Sequence, residues 1–75
     1  LNIKSGSVFD IGCGPGTQAI ALARQGFEVT AVDVAPAAIE GARRRATQAG
    51  VTIDFTAVDI LSMDVDRRFD LILDR

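Results

Sequence analysis

The sequence predicts an α/β domain built on a doubly wound parallel sheet. Apolar, strand-like runs alternate along the chain with helical patterns, and each strand-like run ends at or near an aspartate. A glycine-rich turn also follows the first apolar run directly, at the point where parallel sheets place their ligands. Together these observations predict parallel strands joined by right-handed helical crossovers.

The first half of the chain holds two predicted strands with one helix between them. An apolar run before a turn is typical of a buried parallel strand. A glycine after the last periodic residue marks a helix end. The elements are a strand over Ser7 to Ile11, a helix from Thr17 to a C-cap at Gly26, and a strand from Phe27 to Val32 that ends at Asp33.

The second half predicts one more helix and two more strands. Pro36 fits the first turn of a helix, and alanine and isoleucine recur at helical spacing until Gly50. Gly41 lies inside this helix, where we expect it to let the helix approach a strand closely. The run VTIDFTAVD predicts a third strand ending at Asp59, and residues 69–73 predict a fourth. Because the first and fourth strands should flank the ligand-binding switch point, we expect the spatial order 3-2-1-4.

Composition excludes several functional classes. The chain has 75 residues, a net charge of −2 and no segment of the length of a membrane-spanning helix. We therefore expect a cytoplasmic protein that contacts neither nucleic acid nor membrane. Cys13 is the one cysteine, and the chain has no histidine, so neither an internal disulfide nor a His/Cys metal site is expected. For the same reason Cys13 is interpreted as a small turn residue rather than a nucleophile.

Four acids lie at or near the ends of the predicted strands: Asp10, Asp33, Asp59 and Asp74. Because parallel strands present their carboxyl ends at one edge of the sheet, these acids are candidates for one binding site. For any single acid, a helix N-cap or a solvated loop position is the alternative. For Asp64, Asp66 and Asp70 we favour that alternative, and we interpret Arg43 to Arg45 as a solvated helix face.

The glycine turn departs from the dinucleotide-binding fingerprint. That fingerprint is G-x-G-x-x-G, whereas here the glycines are Gly12, Gly14 and Gly16, with Thr17 at the third fingerprint position. The preceding Asp10 would also repel a pyrophosphate at a cost of several kcal/mol in a partly desolvated site. The turn is better suited to a ligand with a positive end and no phosphate, such as S-adenosylmethionine.

Four segments carry a resemblance to a known family. VFDIGCGPG, VTAVDVAP, FTAVDIL and RRFDLILDR resemble, in order, the first four motifs of class I S-adenosylmethionine-dependent methyltransferases. The resemblance implies a Rossmann-like methyltransferase fold, with S-adenosylmethionine as cofactor and methyl transfer to an acceptor that we expect to be a small molecule.

The resemblance also assigns roles to individual residues. Gly12, Cys13 and Gly14 would hold the methionine moiety, with Asp10 near its ammonium through water or the backbone. Asp33 would accept hydrogen bonds from the ribose hydroxyls, and Val34 would pack on the adenine. Asp59 would accept a hydrogen bond from the adenine amine, and Ile60 would cover the ring beside it. The resemblance assigns no catalytic residue.

Two alternatives stay open on the residues alone. One is a nicotinamide- or flavin-dependent oxidoreductase with an aberrant fingerprint, in which Asp33 would serve the ribose equally well. The other is a non-catalytic module that binds nucleosides. The chain starts at Leu1 and stops in an apolar run, so we expect residues 1–75 to be the cofactor-binding front part of a single larger methyltransferase domain. Alone, it is expected to be inactive and to self-associate through the fourth strand.

Overall fold

The computed structural model describes residues 6–59 and 69–74, and they form one parallel sheet with helical crossovers. Its strands lie in the order β3-β2-β1-β4, and every pair of neighbours is parallel. Both the fold class and the 3-2-1-4 order expected from the sequence are confirmed. The elements along the chain are β1 (Ser7–Ile11), α1 (Thr17–Arg24), β2 (Glu28–Asp33), α2 (Pro36–Ala49), β3 (Asp54–Ala57) and β4 (Leu71–Asp74).

The two outer strands are shorter or shifted relative to the sequence prediction. β3 has four residues rather than the nine of the apolar run, and it ends two residues before Asp59. Among the described strands β3 pairs only with β2, and this pairing ends with Asp33, the last residue of β2, so β3 stops before Asp59. β4 starts at Leu71 rather than at Phe69. Phe69 instead stacks its ring on Phe9, with 4.8 Å between centroids.

Helix α1 ends in a glycine motif that two backbone hydrogen bonds hold in place. Gly26 has φ of 99°, its N–H donates to the carbonyl of Ala23, and the N–H of Phe27 donates to the carbonyl of Leu22. This pattern satisfies two of the carbonyls that a helix end leaves open, and it requires a left-handed residue at Gly26. The helix ends at Arg24 with Gln25 as its C-cap, so the glycine predicted as the C-cap lies one residue later, and the chain then turns into β2.

Helix α2 starts at Pro36 as expected, and Gly50 closes it with φ of 74°. Gly41 is buried within it, but the expected close approach to a strand is wrong. A Cβ built on Gly41 would lie 3.0 Å from Nη1 of Arg45, and all three nearest heavy atoms belong to that guanidinium. The space over Gly41 is therefore filled by a side chain of the same helix.

The core lies between the sheet and the two helices. Because β1, β2 and β3 follow one another across the sheet through right-handed crossovers, both helices cover the same side. Small side chains on the helices, Ala19 and Ala42 among them, let the helices pack close to the sheet. The buried cluster contains Val8, Cys13, Ala19, Val29, Ala31, Ile39, Ala42, Ala46 and Phe55.

A hydrogen-bonded bracket joins the start of β1 to the residue before β4. The N–H of Ser7 donates to Oδ2 of Asp70 at 2.8 Å, and the N–H of Asp70 donates back to the carbonyl and the hydroxyl of Ser7 at 3.0 and 3.1 Å. Asp70 was interpreted as an N-cap or a solvated loop acid, and it is an exposed residue of the loop before β4, where its hydrogen bonds to Ser7 also tie this loop to β1. In the part of the chain that the structure describes, no helix has the length and apolar character needed to cross a bilayer.

Candidate cofactor-binding site

The strand register brings the candidate acids to one edge of the sheet. Ile11 is paired with Val32 on one side and with Asp74 on the other, and Asp33 is paired with Ala57. The carboxyl ends of all four described strands therefore lie side by side. The glycine turn, Asp33 and Asp74 stand at this edge, and Asp59 follows two residues beyond the end of β3.

The glycine turn is anchored to the end of β2. The backbone N–H groups of Gly12 and Cys13 both donate to the carbonyl of Val32, at 2.9 and 3.0 Å, and the N–H of Gly16 donates to the carbonyl of Cys13. Gly12, Gly14 and Gly16 have φ of 71°, 56° and 82°. Residues with a Cβ rarely adopt this left-handed region, so the turn needs glycine at these positions.

Gly14 and Gly16 meet different surroundings. A Cβ built on Gly16 would lie 3.0 Å from Cβ of Ala42, so this glycine permits close contact between the turn and α2. A Cβ built on Gly14 would meet nothing within 4 Å. The turn is therefore closed against the protein at Gly16 and opens onto free space at Gly14, where a ligand can lie against the bare backbone.

Asp33 holds the turn from the end of β2. Its Oδ2 accepts a hydrogen bond from the N–H of Gly14 at 2.9 Å, and its Oδ1 accepts one from the N–H of Ala35 at 3.0 Å. It is not the N-cap of α2, which is Ala35. The carboxylate is half-buried at the carboxyl end of β2, and its assignment to the ribose hydroxyls stays a prediction.

An apolar cleft of about 110 Å³ opens beside Asp33. Val34 forms part of it and is 69% exposed, unusually high for a valine that immediately follows a strand. Sequence reasoning missed Ile11 and Val58 at this place. The pairing of β3 with β2 is what places Val58 here, because the N–H of Val58 donates to the carbonyl of Asp33 at 2.9 Å. The cleft is lined by Ile11, Gly12, Val32, Asp33, Val34 and Val58.

The positions of the remaining predicted site residues bear less directly on ligand binding. Asp10 is fully buried within β1 and has an interaction partner inside the protein. Its expected link to a ligand ammonium through water or the backbone stays a prediction. Cys13 is also fully buried, in the core cluster, as a small turn residue would be. Asp59 is exposed beyond β3, and Ile60 lies outside the described residues.

The chain matches a known protein family. A family model described as a methyltransferase domain matches residues 8–75. The chain belongs to the methyltransferase-domain family. The match begins in β1, just before the glycine turn, and includes every strand and helix described above.

Among relatives in sequence, the ubiquinone biosynthesis O-methyltransferase of Methylocella silvestris is 46% identical over 68 residues, which cover 88% of this chain and 26% of that protein. Other proteins of the same name, from Rickettsia conorii and Xylella fastidiosa, are 38% and 39% identical. The chain spans between a quarter and a third of the length of these curated relatives.

Solved structures of methyltransferases share the fold. The ribosomal protein L11 methylase of Lactobacillus delbrueckii superposes with a TM-score of 0.84 at 35% identity, over 93% of this chain and 37% of that one. An RNA methyltransferase of Salinibacter ruber, solved in complex with S-adenosyl-L-homocysteine, superposes with a TM-score of 0.75 at 27% identity, over 80% of this chain and 41% of that one.

Proposed function

We propose that residues 1–75 form the S-adenosylmethionine-binding part of a single methyltransferase domain, and that the intact protein transfers the methyl group to a small molecule in the cytoplasm. The observation that carries the proposal is the joining of the glycine turn to the β2 acid through Gly14 and Asp33, beside an apolar cleft. This arrangement brings bare backbone, a diol acceptor and an apolar slot together at one edge of the sheet.

Each part of the ligand has a matching part of the site. The open backbone at Gly12 to Gly14 would hold the methionine moiety, and the two carboxylate oxygens of Asp33 would accept hydrogen bonds from the ribose hydroxyls. Val34, together with Ile11 and Val58 across the cleft, would enclose the adenine. Asp59 and Ile60 would contact the adenine edge and are assigned on family resemblance.

The turn favours this cofactor over a dinucleotide. In the dinucleotide fingerprint a glycine at position 17 would provide close helix–strand packing, but here Thr17 is exposed at the start of α1. Close packing is supplied by Gly16 against Ala42 instead. An ionised carboxylate at Asp10 would suit an ammonium and oppose a pyrophosphate. These features argue against the oxidoreductase alternative.

Methyl transfer from a sulfonium requires mainly that the donor and the acceptor be correctly oriented. The cofactor, when bound, supplies a methyl group on a sulfonium, which is already an activated leaving group. This chain's residues bind and orient: the turn fixes the methionine end, and Asp33 fixes the ribose. Holding donor and acceptor in line supplies much of the rate enhancement in such reactions. No residue of this chain is assigned a proton transfer.

The small-molecule acceptor rests on the sequence relatives. They are named as ubiquinone biosynthesis O-methyltransferases, which favours an oxygen acceptor on a small molecule. The net charge of −2 opposes an RNA acceptor, although one structural neighbour is an RNA methyltransferase. The test is transfer of a radiolabelled methyl group from S-adenosylmethionine by the intact protein, with catechols and with ribosomal RNA as acceptors. Labelling of RNA alone would contradict the proposal.

We also propose that the 75-residue chain, produced by itself, associates with copies of itself through β4. The support is that Leu71 and Ile72 are 40% and 56% exposed on a strand that β1 pairs on one side only within the described sheet. Exposed apolar strand edges pair with other chains.

A further inference from the structure

We propose that Arg45 is a positioning residue, which ties the glycine turn to α2 and so holds the turn in the shape that binds the cofactor. This inference rests on the proposed cofactor-binding function. Arg45 belongs to the run of three arginines that was interpreted as a solvated helix face. All three are exposed, yet the guanidinium groups of Arg43 and Arg45 each donate a hydrogen bond to a backbone carbonyl of another element.

Helix geometry directs Arg45 toward the turn. Side chains on a helix lean toward its N-terminus, so a long side chain covers the residue four positions earlier. For Arg45 that residue is Gly41, and the guanidinium lies directly over it, with Nη1 3.0 Å from the position of a Cβ there. The N-terminus of α2 follows the carboxyl end of β2, where the glycine turn also lies. The arginine therefore reaches back to the site.

The guanidinium makes a hydrogen bond to the turn itself. Nη1 of Arg45 donates to the carbonyl of Pro15 at 3.4 Å, between the open glycine and the one packed on α2. The neighbouring Arg43 donates elsewhere, from Nη2 to the carbonyl of Phe55 at 3.0 Å, and so ties α2 to β3. Two adjacent parts of α2 thus hold the turn, Arg45 through Pro15 and Ala42 through Gly16.

The glycine at position 41 fits this role. A glycine within a helix costs about 1 kcal/mol relative to alanine, and no strand lies close enough to Gly41 to explain it. Alanine there would crowd Nη1 and move the guanidinium away from Pro15. Glycine at position 41 thus lowers the stability of α2 at the point where the guanidinium of Arg45 lies over it.

Three variants of the intact protein test the inference. Arg45→Met keeps the aliphatic length and removes the donor, Gly41→Ala displaces the donor and raises helix propensity, and Arg44→Met is the matched control. The readouts are the dissociation constant for S-adenosylhomocysteine by calorimetry, the thermal midpoint, and amide hydrogen exchange of Gly14 and Gly16 in the ligand-free protein.

Arg45→Met and Gly41→Ala are expected to weaken S-adenosylhomocysteine binding by about threefold to tenfold, the effect of losing one hydrogen bond. Both should speed exchange of the turn amides, and Gly41→Ala should do so without lowering the thermal midpoint, which a purely structural role would not produce. Arg44→Met should change none of these.

The inference is overturned if Arg45→Met matches Arg44→Met in affinity, or if only one of affinity and turn exchange responds. A wild-type protein that fails to bind S-adenosylhomocysteine would contradict the proposed function. Amide exchange would then still decide whether Arg45 holds the turn.

Discussion

Asp33 and Gly14 are joined by a hydrogen bond of 2.9 Å, from the glycine N–H to the aspartate Oδ2, across 19 residues of sequence. The bond links the two motifs that sequence reasoning had treated as separate parts of the site. It makes Asp33 both a candidate ribose ligand and a support of the turn. Loss of this carboxylate is therefore expected to affect two parts of the cofactor at once.

Asp33→Ala should weaken S-adenosylmethionine binding by roughly 2–4 kcal/mol, through the loss of charge-assisted hydrogen bonds that water replaces only in part. It should also speed exchange of the Gly14 amide. Calorimetry and hydrogen exchange on the intact protein measure the two effects. Asp54→Ala removes an exposed acid at the start of β3, far from the site, and is the charge-matched control. Survival of binding within a factor of about three would contradict the assignment of Asp33 as a cofactor ligand.

Asp59→Ala should cost less than Asp33→Ala. Asp59 is exposed beyond β3, and a single contact to the adenine amine would be lost, for which backbone groups can substitute. The expected loss is about 0.5–1.5 kcal/mol, the worth of one ordinary hydrogen bond. A loss from Asp59→Ala that equals or exceeds the loss from Asp33→Ala would reverse the assigned roles.

Gly14→Ala and Gly50→Ala form a matched pair. Both glycines have left-handed φ, 56° and 74°, and a Cβ at either would meet nothing within 4 Å. Each substitution should lower the free energy of unfolding by a similar amount, about 1–2 kcal/mol, because the backbone strain is alike. Only Gly14→Ala should also weaken ligand binding, since its methyl group enters the open space above the turn. Equal effects of the two variants on ligand affinity would argue against a ligand at Gly14.

The bracket between Ser7 and Asp70 should contribute to stability and not to binding. Asp70→Ala removes the acceptor for the Ser7 N–H at 2.8 Å, and we expect a loss of about 1–3 kcal/mol in the free energy of unfolding. Chemical denaturation measures it, with Asp54→Ala again as the control. The affinity for S-adenosylhomocysteine should stay unchanged under native conditions. A fall in affinity without a fall in stability would show that the bracket acts on the site.

Self-association of the 75-residue chain should depend on Ile72. Sedimentation of the chain alone is expected to show dimers or larger species, and Ile72→Lys should shift it to monomer by placing a charge on the exposed edge strand. Thr47→Lys, an exposed change on α2, is the control for added charge. A monodisperse monomer before any substitution would contradict the proposal.

The sequence was sufficient for the order of elements and for the edge at which the acids gather, because both follow from periodicity and from the rules of parallel sheets. The lengths of the strands were harder to predict from the sequence. The run around Phe55 continues past the last residue of β2, so β3 ends before the run does. Phe69 likewise extends an apolar run but stacks on Phe9 before β4 begins.

Contacts between distant side chains and backbone could not be predicted in the same way. The guanidinium of Arg45 reaches Pro15 only because α2 passes behind the turn, and nothing in a run of three arginines distinguishes the last one from its neighbours. Asp70 lies in an exposed loop as expected, but its hydrogen bonds to Ser7 depend on the pairing of β4 with β1. Val58 joined the cleft through a backbone hydrogen bond to Asp33.

The central claim is that the site formed by the glycine turn and Asp33 selects S-adenosylmethionine over a dinucleotide. Calorimetric titration of the intact protein with S-adenosylhomocysteine and, separately, with NAD tests it most directly, with Asp33→Ala measured beside the wild type. We predict saturable binding of S-adenosylhomocysteine, which Asp33→Ala weakens strongly, and no binding of NAD at the same concentrations. Binding of NAD with no binding of S-adenosylhomocysteine would contradict it.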